Sequence, residues 1–273
     1  MMICFPNAKI NLGLNVTEKR PDGFHTIETV FYPIGWSDAL EFVVAIKEKP
    51  EFNLSISGIP ISGALEDNLL YKAYQLIKLM KPLPSVNVYL HKALPMGAGL
   101  GGGSADAAFF INGLNDEFSL GLSENERVTV AQQLGSDCAF FIKNKPVFAH
   151  QKGDVFKDIQ LDLSACQIAV IYPNVHSNTK EAYRLVKPQA PKKSIIEIIQ
   201  QPISTWKTEL VNDFETSIFS QYPIVESIKQ ELYTCGASYA AMSGSGSAVF
   251  GLFDTLPQIG SLADYPHWIG KLK

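Results

Sequence analysis

Four cysteines in 273 residues, Cys4, Cys138, Cys166 and Cys235, stand far apart, with no Cys-x-x-Cys pair and no Cys/His ligand spacing. This excludes a zinc ribbon and a disulfide-stapled scaffold, and scattered thiols suit a reducing cytoplasm. No apolar run approaches the ~18 residues that span a bilayer, and few apolar residues precede Lys9, so neither a membrane anchor nor a signal peptide is expected. Basic charge is short as well: 23 Lys and Arg stand against 27 Asp and Glu, a net charge of −4, which leaves no electrostatic footprint for nucleic acid. Internal repeats and low-complexity tracts are missing too. Apolar residues make up 46% of the chain and charged ones 18%, enough to bury the core of one large or two moderate domains.

The first half alternates strand and helix patterns. "LEFVVAI", "FNLSIS" and "VNVYLH" read as strands, the last with Val86, Val88 and Leu90 on one side. Between them Asp67 reads as the N-cap of an amphipathic helix, "NLLYKAYQLIKLM", with Leu69, Ala73, Leu76 and Met80 on its inner face. "SADAAFFINGLNDEF" opens a helix at Ser104, and "ENERVTVAQQL" is expected to end at Gly135 in a left-handed turn. The pattern weakens around "HQKGDVFKDI" and restarts as a strand at "CQIAVIYP", which places a domain boundary between residues 153 and 154. "VKPQAPKK" reads as an exposed loop. "ASYAAMSGSGSAVFGLF" sets a second Gly/Ser turn ahead of a strand.

The richest feature is "LPMGAGLGGGSADAA", which carries Gly97, Gly99, Gly101, Gly102 and Gly103 between a strand and a helix start. Glycine in an ordered element costs about 0.5–1 kcal/mol relative to alanine, so such a cluster serves close backbone approach or positive φ angles. Ahead of a helix N-terminus, whose N–H groups are unpaired and carry partial positive charge, it makes a cradle for a phosphate. The alternative is a turn that lets a helix pack close to a sheet. No Gly-Lys-Ser/Thr follows, so this is not a Walker A loop. A dinucleotide fingerprint fits poorly, since no acid-ended strand lies about 20 residues further on.

"PMGAGLGGGSADAA" resembles the ATP-binding motif of the GHMP kinases, and "FPNAKINLGL", "RPDGFHTIETVF" and "MSGSGSAVFGLF" extend the resemblance in order and spacing from Phe5 to Phe253. It implies an α+β fold of two domains: an N-terminal α/β domain (1–153) that binds ATP and a C-terminal ferredoxin-like domain (154–273), with the active site in the cleft between them. "PNAKINL" and "DGFHT" resemble in particular the branch that moves the ATP γ-phosphoryl group to the 2-hydroxyl of 4-diphosphocytidyl-2-C-methyl-D-erythritol, in the non-mevalonate (MEP) route to isoprenoids. Magnesium then arrives on the nucleotide. The implied partner is a small molecule rather than nucleic acid or membrane, and the implied assembly is a monomer or weak homodimer in the cytoplasm. A GHMP kinase for mevalonate or homoserine is one rival reading, and a nucleotide-binding protein without turnover is another.

The resemblance also implies roles for particular residues. Pro95, Met96, Gly97, Ala98, Gly99, Leu100, Gly101, Gly102, Gly103, Ser104 and Ala105 match the ATP loop. Asp137, in "QLGSDCAFF", matches the catalytic aspartate; read without the family it is equally a helix cap or turn residue. Cys138-Ala139 stand where the family usually has Val-Pro. Lys9, inside the apolar run "AKINLGL", matches the lysine that partners that aspartate; the alternative is an edge-strand lysine whose stem reaches solvent. Asn11, Phe24, His25 and Tyr183 match positions around the cytidine, with Phe24 in place of a common tyrosine, although core packing would also explain the aromatics and a satisfied structural histidine His25. Asn68 is open between helix capping and the nucleotide. Gly244 and Gly246 match a loop that closes on substrate and phosphate.

Overall fold

The structure is a computed structural model that describes residues 1–46 and 50–272. Its strands are β1 (Met2–Cys4), β2 (Asn7–Lys19), β3 (His25–Ser37), β4 (Ala39–Val44), β5 (Phe52–Gly58), β6 (Val86–Lys92), β7 (Val147–His150), β8 (Val155–Asp158), β9 (Gln167–Ile171), β10 (Tyr239–Met242), β11 (Val249–Phe253) and β12 (His267–Lys271). The helices are α1 (Leu69–Met80), α2 (Gly102–Glu117), α3 (Glu124–Leu134), α4 (Cys138–Lys143), α5 (Thr179–Leu185), α6 (Ile195–Ile199), α7 (Ile203–Glu209), α8 (Glu215–Gln221) and α9 (Pro223–Thr234). They form two compact units. The first takes residues 1–8, 37–95 and 101–144, and the second takes 9–36, 96–100 and 145–273.

In the first unit the sheet runs β1-β4-β6-β5. Only the β5–β6 pair is parallel. Parallel neighbours need a crossover, and α1 supplies it. Val86, Val88 and Leu90 face inward as their alternation requires, and the same face ends in buried Lys92. Against this face lie Phe42, Phe52 and Phe110, with Phe42 meeting Phe110 edge to face at 5.1 Å. The cap of α1 is Asn68, whose side chain accepts from Leu70 N, while Asp67 closes the short 3₁₀ turn before it. The inner face of α1 is Leu70, Ala73, Tyr74 and Ile77, one residue round from the expected stripe, because both faces of this helix are apolar enough to pass as inner. Helix α2 begins at Gly102, two residues before Ser104, with Gly101 as its N-cap. Helix α3 starts with a Ser123/Glu126 capping box and ends at Gly135 in extended rather than left-handed backbone (φ 164°).

The second unit holds two sheets, β2-β3-β7-β8 and β10-β11-β9-β12. In chain order the latter is the 4-1-3-2 arrangement of a ferredoxin-like sheet, antiparallel throughout. The connection from β11 to β12 carries only a 3₁₀ turn, Gly260–Asp264, where a helix would complete the motif. Leu14, Ile171, Phe214, Val225, Ile228 and Met242 are among the residues of the shared core. "HQKGDVFKDI" is the β7–β8 hairpin, with Gln151 and Gly153 at positive φ in its turn. The expected boundary at 153/154 therefore falls inside this hairpin, and β2 and β3 count with the later part of the chain.

Candidate active site

In the second unit, Lys9 sits near the start of β2, within its buried stretch, and is only 3% exposed. Its Nζ donates to Asn11 Oδ1 at 2.7 Å and stands 4.8 Å from the centre of the Phe31 ring. Asn11 is 1% exposed. Its Nδ2 donates to Thr29 Oγ1, whose hydroxyl in turn donates to the Gly13 carbonyl, and its Oδ1 also accepts from Ser243 Oγ at 3.4 Å. A serine hydroxyl carries one proton, and at 2.9 Å the Gly99 carbonyl is its nearer acceptor, so Lys9 is the main donor to this amide oxygen. Asn11, expected at a pyrimidine edge, orients Lys9 through this bond.

The Met96–Leu100 part of the glycine loop lies backbone to backbone against the Ser243–Ser247 turn. Ser243 Oγ donates to Gly99 O at 2.9 Å, and Ala248 N donates to Ala98 O at 3.0 Å. Gly99 has φ +83°, and a Cβ there would lie 1.9 Å from Ser243 O. A Cβ on Gly246 would meet Ala98 C at 2.1 Å. Both glycines are thus required by close approach of two turns. Asn212, 3% exposed, secures the second turn by donating to the carbonyls of Met242 and Gly244. Ser177 Oγ donates to Ser245 O at 2.8 Å, which ties the segment after β9 onto it.

"RPDGFH" makes the β2–β3 turn. Arg20 N donates to Phe24 O, and Gly23 takes φ +84°. The turn delivers His25 to the start of β3, where its imidazole stacks on Tyr183 at 5.0 Å and 26°. Tyr183 is held in turn by an edge contact to Phe214 at 4.8 Å. Burial, followed by the Lys19 charge, lowers the His25 pKa and keeps its imidazole neutral at pH 7. Phe24 is 59% exposed, with the Lys152 ammonium 5.2 Å from the centre of its ring. His25 and Tyr183 are therefore one platform, and Phe24 is an exposed aromatic beside that strand's start.

In the first unit, Gly101 has φ +74° and its carbonyl accepts from Ala105 N at 2.9 Å, which closes the first turn of α2. A Cβ on Gly103 would meet nothing nearer than Leu69 Cδ1 at 3.9 Å. Gly103→Val therefore keeps the fold but sets a branched side chain beside the first-turn N–H groups. ATP titration of the variant should give a Kd raised about tenfold or more with little change in Tm, since valine is no worse a helix former than the glycine it replaces. Unchanged affinity would remove the phosphate role from this turn. Asp137 occupies the N-cap position of α4, yet its side chain makes no capping hydrogen bond. Its neighbour Cys138 is fully buried, and burial pushes the thiol pKa up to about 11.

The second unit thus brings together two close-packed Gly/Ser turns, a buried lysine held by an amide and a ferredoxin-like sheet, and the family comparisons put the chain in a class of small-molecule kinases. Residues 68–145 match the family GHMP kinases N terminal domain, and residues 195–265 match GHMP kinases C terminal. The chain belongs to the GHMP kinases, whose members carry out ATP-dependent phosphoryl transfer to small molecules. It is 55% identical over 252 residues, 92% of either chain, to the 4-diphosphocytidyl-2-C-methyl-D-erythritol kinase of Bacteroides fragilis. It is 52% identical over 258 residues, 94% of either chain, to the protein of that name in Cytophaga hutchinsonii. A crystal structure of 4-(cytidine 5'-diphospho)-2C-methyl-D-erythritol kinase superposes with a TM-score of 0.83 at 28% identity, covering 99% of both chains.

Thr29, Asn212 and Ser243 escaped the sequence reading, as did buried Asp38, Lys92 and Asp106. Lys92 alone left a signal, as the fourth inward position of the β6 alternation.

Proposed function

We propose that the chain transfers the γ-phosphoryl group of ATP to the 2-hydroxyl of 4-diphosphocytidyl-2-C-methyl-D-erythritol, releasing ADP and the 2-phosphate. Relatives of that name at half identity or better support the substrate, and the observation that carries it to residues is the His25–Tyr183 stack. A neutral imidazole offers one donor and one acceptor, and beside an aromatic face this suits a pyrimidine. The N–H groups at the start of α2 and along the glycine loop receive the triphosphate. Asp137 orients the attacking hydroxyl and accepts its proton, and Lys9 neutralises charge in the same step. The nucleotide phosphates, with Ser104 at the start of α2, are the assigned magnesium ligands. The four cysteines are free, which supports a reducing compartment, and we place the enzyme in the cytoplasm as a monomer or weak homodimer.

A coupled ATPase assay with and without the diphosphocytidyl substrate tests the function: ADP release that depends on this substrate, and not on mevalonate or homoserine, is the expected result. His25→Ala should raise KM for the diphosphocytidyl substrate about tenfold or more while leaving KM for ATP within about twofold, because losing paired polar groups on a base costs roughly 1–3 kcal/mol. Equal effects on the two substrates would assign His25 to the fold.

A further inference from the structure

Beneath the start of α2 lies a charged cluster that the reaction does not use. Lys92, on β6, has no exposed side-chain surface, nor has Asp38 in the bend between β3 and β4, and Asp106 on α2 is 4% exposed. Lys92 Nζ donates to Asp38 Oδ2 and, at 2.8 Å, to Asp106 Oδ2. Asp38 Oδ1 accepts from Ala93 N at 2.6 Å and Leu94 N at 2.7 Å, and so fixes the chain as it leaves β6 for the glycine loop. A Cβ added at Gly102 would lie 2.9 Å from Lys92 Nζ, so the ammonium fills the space under the first residue of the helix. One cation therefore joins the strand before the loop to the helix after it.

The charges do not balance. One ammonium faces two carboxyl groups away from water, and an uncompensated buried charge is very costly. The Asp106 and Asp38 carboxyls both reach the same Lys92 ammonium, which brings them close together, and two ionised carboxylates held that way repel each other. Asp106 Oδ1 is buried without a hydrogen-bond partner, so it is the carboxyl less able to carry the charge, while Asp38 is braced by two backbone N–H groups and the lysine. The remaining titratable group against Asp106 is Cys4 on β1, whose thiol is pushed up to about 12 by burial and by Asp106, and it stays neutral.

We propose that Asp106 is a positioning residue for the nucleotide loop: held as an uncharged carboxylic acid, it lets the Lys92–Asp38 ion pair set the turn ahead of α2, and loss of its proton weakens nucleotide binding. This rests on the reading of that loop as the triphosphate site. Burial raises the Asp106 pKa to about 7, with Lys92 opposing and Asp38 adding to the rise. Because the folded value lies above the unfolded one, the folded chain retains a proton that the unfolded chain has lost between about pH 4 and pH 7. Stability therefore falls as pH rises through that window and levels off above it.

D106N, which stays neutral at every pH, separates the roles. ATP titrations from pH 6 to pH 8.5 should show the wild-type Kd rising relative to that of D106N by about tenfold, the signature of a one-unit difference in proton affinity between free and nucleotide-bound protein. Over pH 5 to pH 8 the Tm of D106N should gain on the wild type by about 5 °C. The infrared band of a buried carboxylic acid should be present in the wild type at pH 6, fade towards pH 8 and be missing from D106N. Parallel Kd profiles, or no titrating acid band in the wild type, would overturn the proposal. Should D106N fail to fold, the wild-type infrared titration still decides. A wild type that binds no ATP at any pH would instead refute the nucleotide reading of the loop, and the acid band would still report on Asp106.

Discussion

Replacing Asp137 with asparagine should lower kcat by about 10²–10⁴-fold while KM for ATP stays within a few-fold of the wild type, because general base catalysis is worth that much and asparagine cannot accept the hydroxyl proton. Asp137 holds the N-cap position of α4 without making the cap bond, so its carboxylate does not serve to start the helix. Asparagine is as good as aspartate at an N-cap, and the variant should fold normally. Nor can the neighbour stand in: Cys138 is buried with its thiol pKa raised to about 11, so at neutral pH it offers no thiolate base. Single-turnover phosphoryl transfer measures the chemical step directly. Near-normal transfer by Asp137→Asn would reject the base assignment, and a lost fold, seen by thermal unfolding, would mean that the carboxylate is structural.

Period-2 patterns survived into the structure because they are local. Val86, Val88 and Leu90 face inward as read, and the strand "CQIAVIYP" is β9. The α1 stripe slipped by one residue because Leu69, Leu76 and Met80 are as apolar as Leu70, Tyr74 and Ile77, and only the position of the sheet decides which face is covered. Gly135 ends α3 in extended backbone because the next residues lead straight into α4 rather than turning back on the helix. The boundary near residue 153 misread a hairpin, "HQKGDVFKDI", whose strands are only four residues each and carry too few alternating positions to register as a pattern. At the candidate site, Lys9 was legible because a lysine inside an apolar strand demands an explanation. Its orienter was not. Asn11, Thr29, Gly13 and Ser243 meet across separations of up to 232 residues, and no spacing rule predicts a contact of that kind. The partners of Lys92 were hidden for the same reason, since Asp38 and Asp106 reach it from two other elements.

Lys9→Met should also lower kcat, by about 10²-fold or more, the loss seen when a preorganised donor to developing charge is removed. Methionine matches the lysine stem in length and suits a strand position that is 3% exposed beside the Phe31 ring, so the variant should fold. The lost bond leaves Asn11 Oδ1 without its 2.7 Å donor, so the Tm of the variant should fall modestly while the strand stays packed. Asn11→Leu should reproduce part of the kinetic loss without touching the ammonium, because it releases Lys9 from the 2.7 Å bond that aims it. The decisive comparison is the double variant. If Lys9 and Asp137 serve one proton-transfer step, losing either disables that step, and Lys9→Met combined with Asp137→Asn should be scarcely slower than the worse single variant. If Lys9 acts on the phosphoryl group independently of the base, the two factors multiply, and the doubly substituted enzyme should be slower by about another 10²-fold. Single-turnover rates for the four proteins, each checked for ATP affinity and Tm, distinguish these outcomes, and multiplicative losses would separate the lysine from the base.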